Sequence, residues 1–141
     1  METNIGSIID ALQSGVPVLL LHFATTLVLL GLGVAGYMAI TPFHEPTLVA
    51  KGNVAAGIVL AGTVIALAIP LAATLATSAV WLDIALWGLV ALLLQLMTFA
   101  IASIVIRRLR DMIEAGNIAA ALMLVGIQVA VALLNAGAMA G

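Results

Sequence analysis

Lys51-Gly52-Asn53-Val54-Ala55-Ala56 returns 64 residues later as Ala115-Gly116-Asn117-Ile118-Ala119-Ala120. The register then holds without a gap: Gly62 matches Gly126, Ala66 matches Ala130 and Ala72 matches Ala136. The chain therefore reads as one two-part unit written twice. Each copy carries one long apolar segment before its Gly-Asn-x-Ala-Ala and one after it, which predicts two helical hairpins in one membrane.

Composition around the motif agrees with lipid. Hydrophobic residues make up 65% of the 141 and charged residues 7%, far from the balance of water-soluble domains. Four uncharged runs stand out, Val16 to Ile40, Asn53 to Thr77, Ile84 to Ile106 and Asn117 to Met139. At about 1.5 Å per residue each covers a hydrocarbon core of roughly 30 Å. The expected fold is an all-α membrane protein with four transmembrane helices, arranged as two parallel, same-topology two-helix repeats. Residues 1–15, where Ile5, Ile8, Ile9 and Leu12 recur at helical spacing, are expected to form a short amphipathic interfacial helix. Residues 16–77 form the first repeat, with helices over 16–40 and 53–77, and residues 78–141 the second, with helices over 83–106 and 117–139. The first run is too long for a cleaved signal and follows Glu2 and Asp10 rather than a basic stretch, so it is expected to remain.

All four basic residues fall in two loops, Lys51 in one and Arg107, Arg108 and Arg110 in the other. The positive-inside rule makes both loops cytoplasmic and both termini external. Because each repeat contains an even number of spans, the second enters with the polarity of the first. Their pseudo-two-fold axis then runs along the membrane normal, unlike that of inverted-repeat transporters.

Small residues let helices approach closely in lipid. The face of Gly62 and Ala66 in the second span and that of Gly126 and Ala130 in the fourth are expected to meet at close contacts, within one chain or between protomers. Pro70, which has Leu134 as its counterpart, is expected to kink the second span. Asn53 and Asn117 stand where the second and fourth spans begin; both fit helix caps, or a cytoplasmic mouth lined by helix N-termini. Gln95 and Gln128 lie near mid-membrane, either as hydrogen-bonding glue or as a polar constriction. His22, Thr26, Asp83 and Asn135 complete the set of polar-interior candidates. His22, Asp83 and Asn135 share the outer half, as a proton-responsive or ligand site, or as a helix cap beside interfacial Trp81 and Trp87 with an unrelated histidine. Glu45, in the first loop, is within reach of pairing with Arg107, Arg108 or Arg110.

Thr41-Pro42-x-x-Glu45, Gly52-Asn53-x-Ala55-Ala56, Gly62, Pro70-Leu71, Asp83, Trp87-Gly88, Gln95-Leu96, Asn117-x-Ala119-Ala120 and Asn135-Ala136 together resemble the DUF350 (UPF0719) family of bacterial inner-membrane proteins. The resemblance runs from about Gly31 to the C-terminus. It implies duplicated two-helix units in a bacterial plasma membrane, an association with envelope or membrane stress, partners among membrane-stress proteins and a channel-like role.

Three classes of function compete. The leading expectation is an oligomeric channel-like or membrane-scaffolding component, a homo-oligomer in the lipid bilayer. The alternative is a small-solute or ion transporter with its site among the polar residues of the first, third and fourth spans. An enzyme is not expected: cysteine is absent, histidines number two, and no spacing suggests a metal site, a cofactor or nucleic-acid binding.

Overall fold

The computed structural model describes residues 2–141, with side chains from Asn4 onward. Its elements are α1 (Glu2–Ile40), α2 (Glu45–Ala50), α3 (Val54–Thr77), α4 (Trp81–Val105), α5 (Leu109–Glu114) and α6 (Ile118–Ala140). Helices α1, α3, α4 and α6 are long and apolar enough to cross a membrane. No strand occurs among the described residues. The short helices α2 and α5 lie at one end of the bundle with all four basic residues, the basic end; Thr77, Trp81 and the C-terminus mark the opposite, terminal end.

The two Gly-Asn pairs make one backbone device twice. Gly52 has φ +81° and Gly116 φ +79°, a left-handed conformation that a Cβ would strain. Gly52 N–H donates to the Val49 carbonyl and Asn53 N–H to that of Leu48; Gly116 and Asn117 donate likewise to Ile113 and Met112. This is the Schellman stop of a helix. In each case the asparagine then caps the next helix, Asn53 accepting from Ala56 N–H and Asn117 from Ala120 N–H, both at 3.0 Å. Two residues thus end one helix and start another, which is how a six-residue helix joins a membrane-length one. Leu109 and Ile113 are buried, so α5 is anchored beneath the bundle where sequence alone suggests an open loop.

The expected break between an interfacial segment over residues 1–15 and the first span is not seen. From Glu2, α1 runs without interruption through Gly15 and Pro17 to Ile40, while Met1 lies outside the described residues. No Gly-Asn stop is present, Pro17 removes only one intrahelical donor, and Ser14 donates back to the Asp10 and Ala11 carbonyls. At about 1.5 Å per residue its 39 residues extend roughly 58 Å, against about 36 Å for a 24-residue helix such as α3. Its register on α4 is set by two glycines. A Cβ on Gly88 would lie 2.6 Å from Leu29, and one on Gly33 2.7 Å from Leu92. The two helices run the same way, so His22 stands level with Trp81, the first residue of α4. The preceding turns of α1 pass the end of the bundle, and Asn4 to Leu21 are exposed.

Helix α3 is the hub, packing on α1, α2, α4, α5 and α6, most extensively on α6. Ala55, Gly62 and Ala66 are buried there, and a Cβ on Gly62 would come within 2.4 Å of Val125. The matching face of α6 does not meet it within the chain. Gly126 and Ala130 are exposed, and a Cβ on Gly126 would meet nothing within 4 Å. Instead Ala120, Ala121, Leu124, Gln128 and Ala132 turn inward. The cause lies in Gln128: its amide needs partners that lipid does not supply, and turning it inward carries Gly126, two residues away, outward. Pro70 is buried within a continuous α3.

Candidate functional site

Polar side chains inside the bundle fall into three stations along its length. The first, at the basic end, pairs Tyr37 with Glu45. Both are buried, at 0% and 1% exposed, and the Tyr37 hydroxyl donates to Glu45 Oε1. The pairing is local in origin: Tyr37 is one turn before the end of α1, Thr41 donates to the Tyr37 carbonyl at 2.7 Å, and Pro42 forbids helical continuation. The chain then folds back so that Glu45, first residue of α2, lies beneath the phenol. Phe99 packs edge-on against the Tyr37 ring with centroids 4.6 Å apart. Burial raises the Glu45 carboxyl above the usual carboxylate range, and the Tyr37 hydroxyl, the Glu45 backbone and nearby His44 offset this only partly.

The expected pairing of Glu45 with the second loop's arginines is therefore not made. Arg108 pairs with Asp111 at 3.0 Å and Arg110 with Glu114 at 2.8 Å, both exposed and within the second loop. Arg107 is exposed beside them, lining a shallow surface depression with Asn117. What does join the loops is Asn53, whose Nδ2 donates to the Ile113 and Glu114 carbonyls at 2.9 and 3.1 Å.

The second station is at mid-bundle. Thr63 of α3 donates to Gln128 Oε1 at 2.9 Å, and Gln95 Nε2 of α4 donates to the Gln128 backbone carbonyl at 2.7 Å. Gln95 and Gln128 are 3% and 1% exposed, so these amides tie α3, α4 and α6 together. Gln95 Oε1 and Gln128 Nε2 have no partner among the described residues.

The third station is a pocket of about 570 Å³ at the terminal end, between α3, α4 and α6. Thr74, Thr77, Ser78, Asp83, Trp87 and Asn135 contribute its polar and aromatic wall. Asp83 lies in the first turn of α4 and does not cap it, Val80 being the N-cap residue. Asn135 reaches across to the Ala91 carbonyl at 3.4 Å. His22 is not part of this wall: it sits on α1, which contributes nothing to the pocket, and Thr26 turns its hydroxyl back to the His22 carbonyl. The structure thus brings Asp83 and Asn135 together and leaves His22 and Thr26 apart. Among the described residues no three His, Asp or Glu side chains gather as a metal ion would require.

Tyr37 and Thr63 are absent from the residues read from sequence. A single tyrosine and one threonine among apolar neighbours resemble ordinary core. Only the eight-residue interval from Tyr37 to Glu45 across a proline hints at their meeting.

Comparison with known proteins agrees with this architecture. The DUF350 family, a domain of unknown function, matches residues 11–139. The UPF0719 inner membrane protein YjfL of Escherichia coli strain K12 is 31% identical over 103 residues, covering 73% of this chain and 78% of the relative. YjfL of Escherichia coli O157:H7 matches with the same figures. No solved structure matches significantly. With four apolar helices of membrane-crossing length, a family match over nearly the whole chain and an inner-membrane relative, the chain belongs to the DUF350 (UPF0719) family of multi-pass inner-membrane proteins.

Proposed function

We propose that this protein is a non-enzymatic, homo-oligomeric membrane scaffold of the bacterial inner membrane, associated with envelope stress as the family resemblance implies. It is built of two same-topology repeats over residues 16–77 and 78–141, with both termini outside and the basic loops cytoplasmic. The paired glycine stops and asparagine caps support the duplication. The exposed face of Ala119, Gly126, Ala130 and Gly137 along α6 carries the oligomeric reading. Its counterpart on α3 packs inside the chain, whereas this face is open for a helix of a second copy to approach closely. Gln95 and Gln128, the natural lining of a channel, are buried and bonded through Gln95 Nε2 and Gln128 Oε1 within a single bundle, which favours the scaffold over the channel although Gln95 Oε1 and Gln128 Nε2 find no partner among the described residues.

Native mass spectrometry in lipid nanodiscs tests the reading. Gly126→Leu is expected to lower the oligomer to smaller species while leaving helix content and melting temperature unchanged. Gly62→Leu, whose side chain collides with Val125, is expected to unfold the monomer instead. An unaltered oligomer in the Gly126→Leu protein, or a wild-type monomer, overturns the proposal.

A second reading, a small-solute or ion transporter, is favoured by the terminal-end pocket alone. Its site would centre on Asp83 and Asn135.

A further inference from the structure

We infer that the pocket between α3, α4 and α6 is a binding site for a primary ammonium group. The inference rests on neither the oligomer nor a transport cycle. Its charge selection is one-sided: among the described residues Asp83 is the only charged one in the wall and its carboxylate makes no ion pair, and every Lys and Arg lies at the opposite end of the bundle. An anion would meet repulsion there without a donor cation to receive it.

The remaining wall supplies what an R–NH₃⁺ group needs besides a counter-charge. Trp87 is one helical turn after Asp83 on the same face of α4, so a carboxylate and an indole, whose π system attracts cations, belong to one wall. Thr74 and Thr77 of α3, Ser78 at its C-cap and Asn135 of α6 carry side-chain oxygens in the same wall. Thr74 and Thr77 direct their hydroxyl protons to the Leu71 and Ala73 carbonyls, and Asn135 directs its Nδ2 to the Ala91 carbonyl. The hydroxyl protons of Thr74 and Thr77 are thereby engaged, as is one of the two Asn135 N–H groups, and the oxygen lone pairs of these side chains serve as acceptors. Three N–H donors match one carboxylate and a set of neutral acceptors. A quaternary ammonium keeps the attraction to Asp83 and to the ring but has no N–H to donate to these acceptors. The site therefore selects a primary amine. Its position beside two tryptophans at the bundle's end is at the depth of lipid headgroups, so the ammonium can belong to an ethanolamine headgroup or to a free amine.

Trp81→Phe leaves Trp87 as the sole tryptophan reporter. In phosphatidylcholine nanodiscs, ethylamine hydrochloride is expected to change Trp87 emission saturably, whereas sodium chloride at equal ionic strength does not and choline chloride acts only at much higher concentration. Asp83→Asn is expected to weaken the response about tenfold or more, and Asp83→Glu to restore it in part. Phosphatidylethanolamine nanodiscs separate the sources: bound-like emission before any ethylamine, lost in Asp83→Asn, assigns the headgroup, and titrations unchanged from phosphatidylcholine assign a free amine. The inference is overturned if ethylamine gives no saturable response in phosphatidylcholine, or if Asp83→Asn responds as the Asp83 protein does.

Discussion

Glu45 shows how a residue that reads as solvated becomes part of the interior. A carboxyl that is 1% exposed has lost nearly all its hydration, and the Tyr37 hydroxyl replaces only part of it. Its folded-state pKa is raised above the ordinary 4.5, so folding takes up a proton in the interval between the two values. The contribution to stability is fully present below about pH 4.5 and is lost as pH rises through the raised value. Thermal unfolding in detergent is therefore expected to give a melting temperature that falls across that interval, with Glu45→Gln flatter and more stable than the parent at its upper end. Equal slopes for the two proteins would show that Glu45 does not titrate there. Tyr37→Phe removes the carboxyl's donor while keeping the ring on Phe99, and is expected to cost about 1–3 kcal/mol. Beyond the interval from Tyr37 to Glu45 across Pro42 the sequence does not isolate this pair, because a buried carboxyl is recognised by its partner and the partner is set by the turn at Pro42.

At the scale of elements, the sequence shows the repeated Gly-Asn and its asparagine caps, whereas the glycine stops and the short helices α2 and α5 that they end come from the structure. An asparagine cap follows from residue type. The rotation of α6 does not, because identical small-residue spacing on α3 and α6 suggests a symmetric contact while the divergence of Val64 into Gln128 decides which face turns inward. The two caps differ for the same kind of reason. Asn53 caps α3 and also holds two α5 carbonyls, whereas Asn117 caps α6 and makes no side-chain bond to the first loop among the described residues. Asn117→Ala is expected to cost about 1 kcal/mol and Asn53→Ala about 2–3 kcal/mol, read as melting shifts of one protein preparation in one detergent. Equal losses would mean that the inter-loop bonds contribute nothing. Thr63→Val, which strips Gln128 Oε1 of its donor, is expected to cost about 1–2 kcal/mol, near the upper end for hydrogen bonds between membrane helices.

For the whole molecule, the asymmetry of charge and the overhang of α1 make a joint statement about placement in the membrane. The basic end carries Lys51, Arg107, Arg108 and Arg110, and the terminal end carries the pocket, both tryptophans and the projecting turns of α1. If the positive end faces the cytoplasm, Ile5, Ile8, Ile9 and Leu12, all exposed, belong to the outer surface, where an apolar helical face needs lipid or protein. A chain without cysteine allows this to be read one position at a time. Ser7→Cys and Ala79→Cys are expected to react with a membrane-impermeant maleimide added to intact spheroplasts. Lys51→Cys and Arg108→Cys are expected to react only after the membrane is opened. The reverse pattern would invert the molecule and place the Asp83 pocket in the cytoplasmic leaflet. Ser7 adds a second reading, since a face that lies in the interface reacts more slowly than one extended into water. Slower labelling at Ile8→Cys than at Ser7→Cys would set the apolar side of α1 against the bilayer, and equal fast labelling would leave the overhang standing free of it.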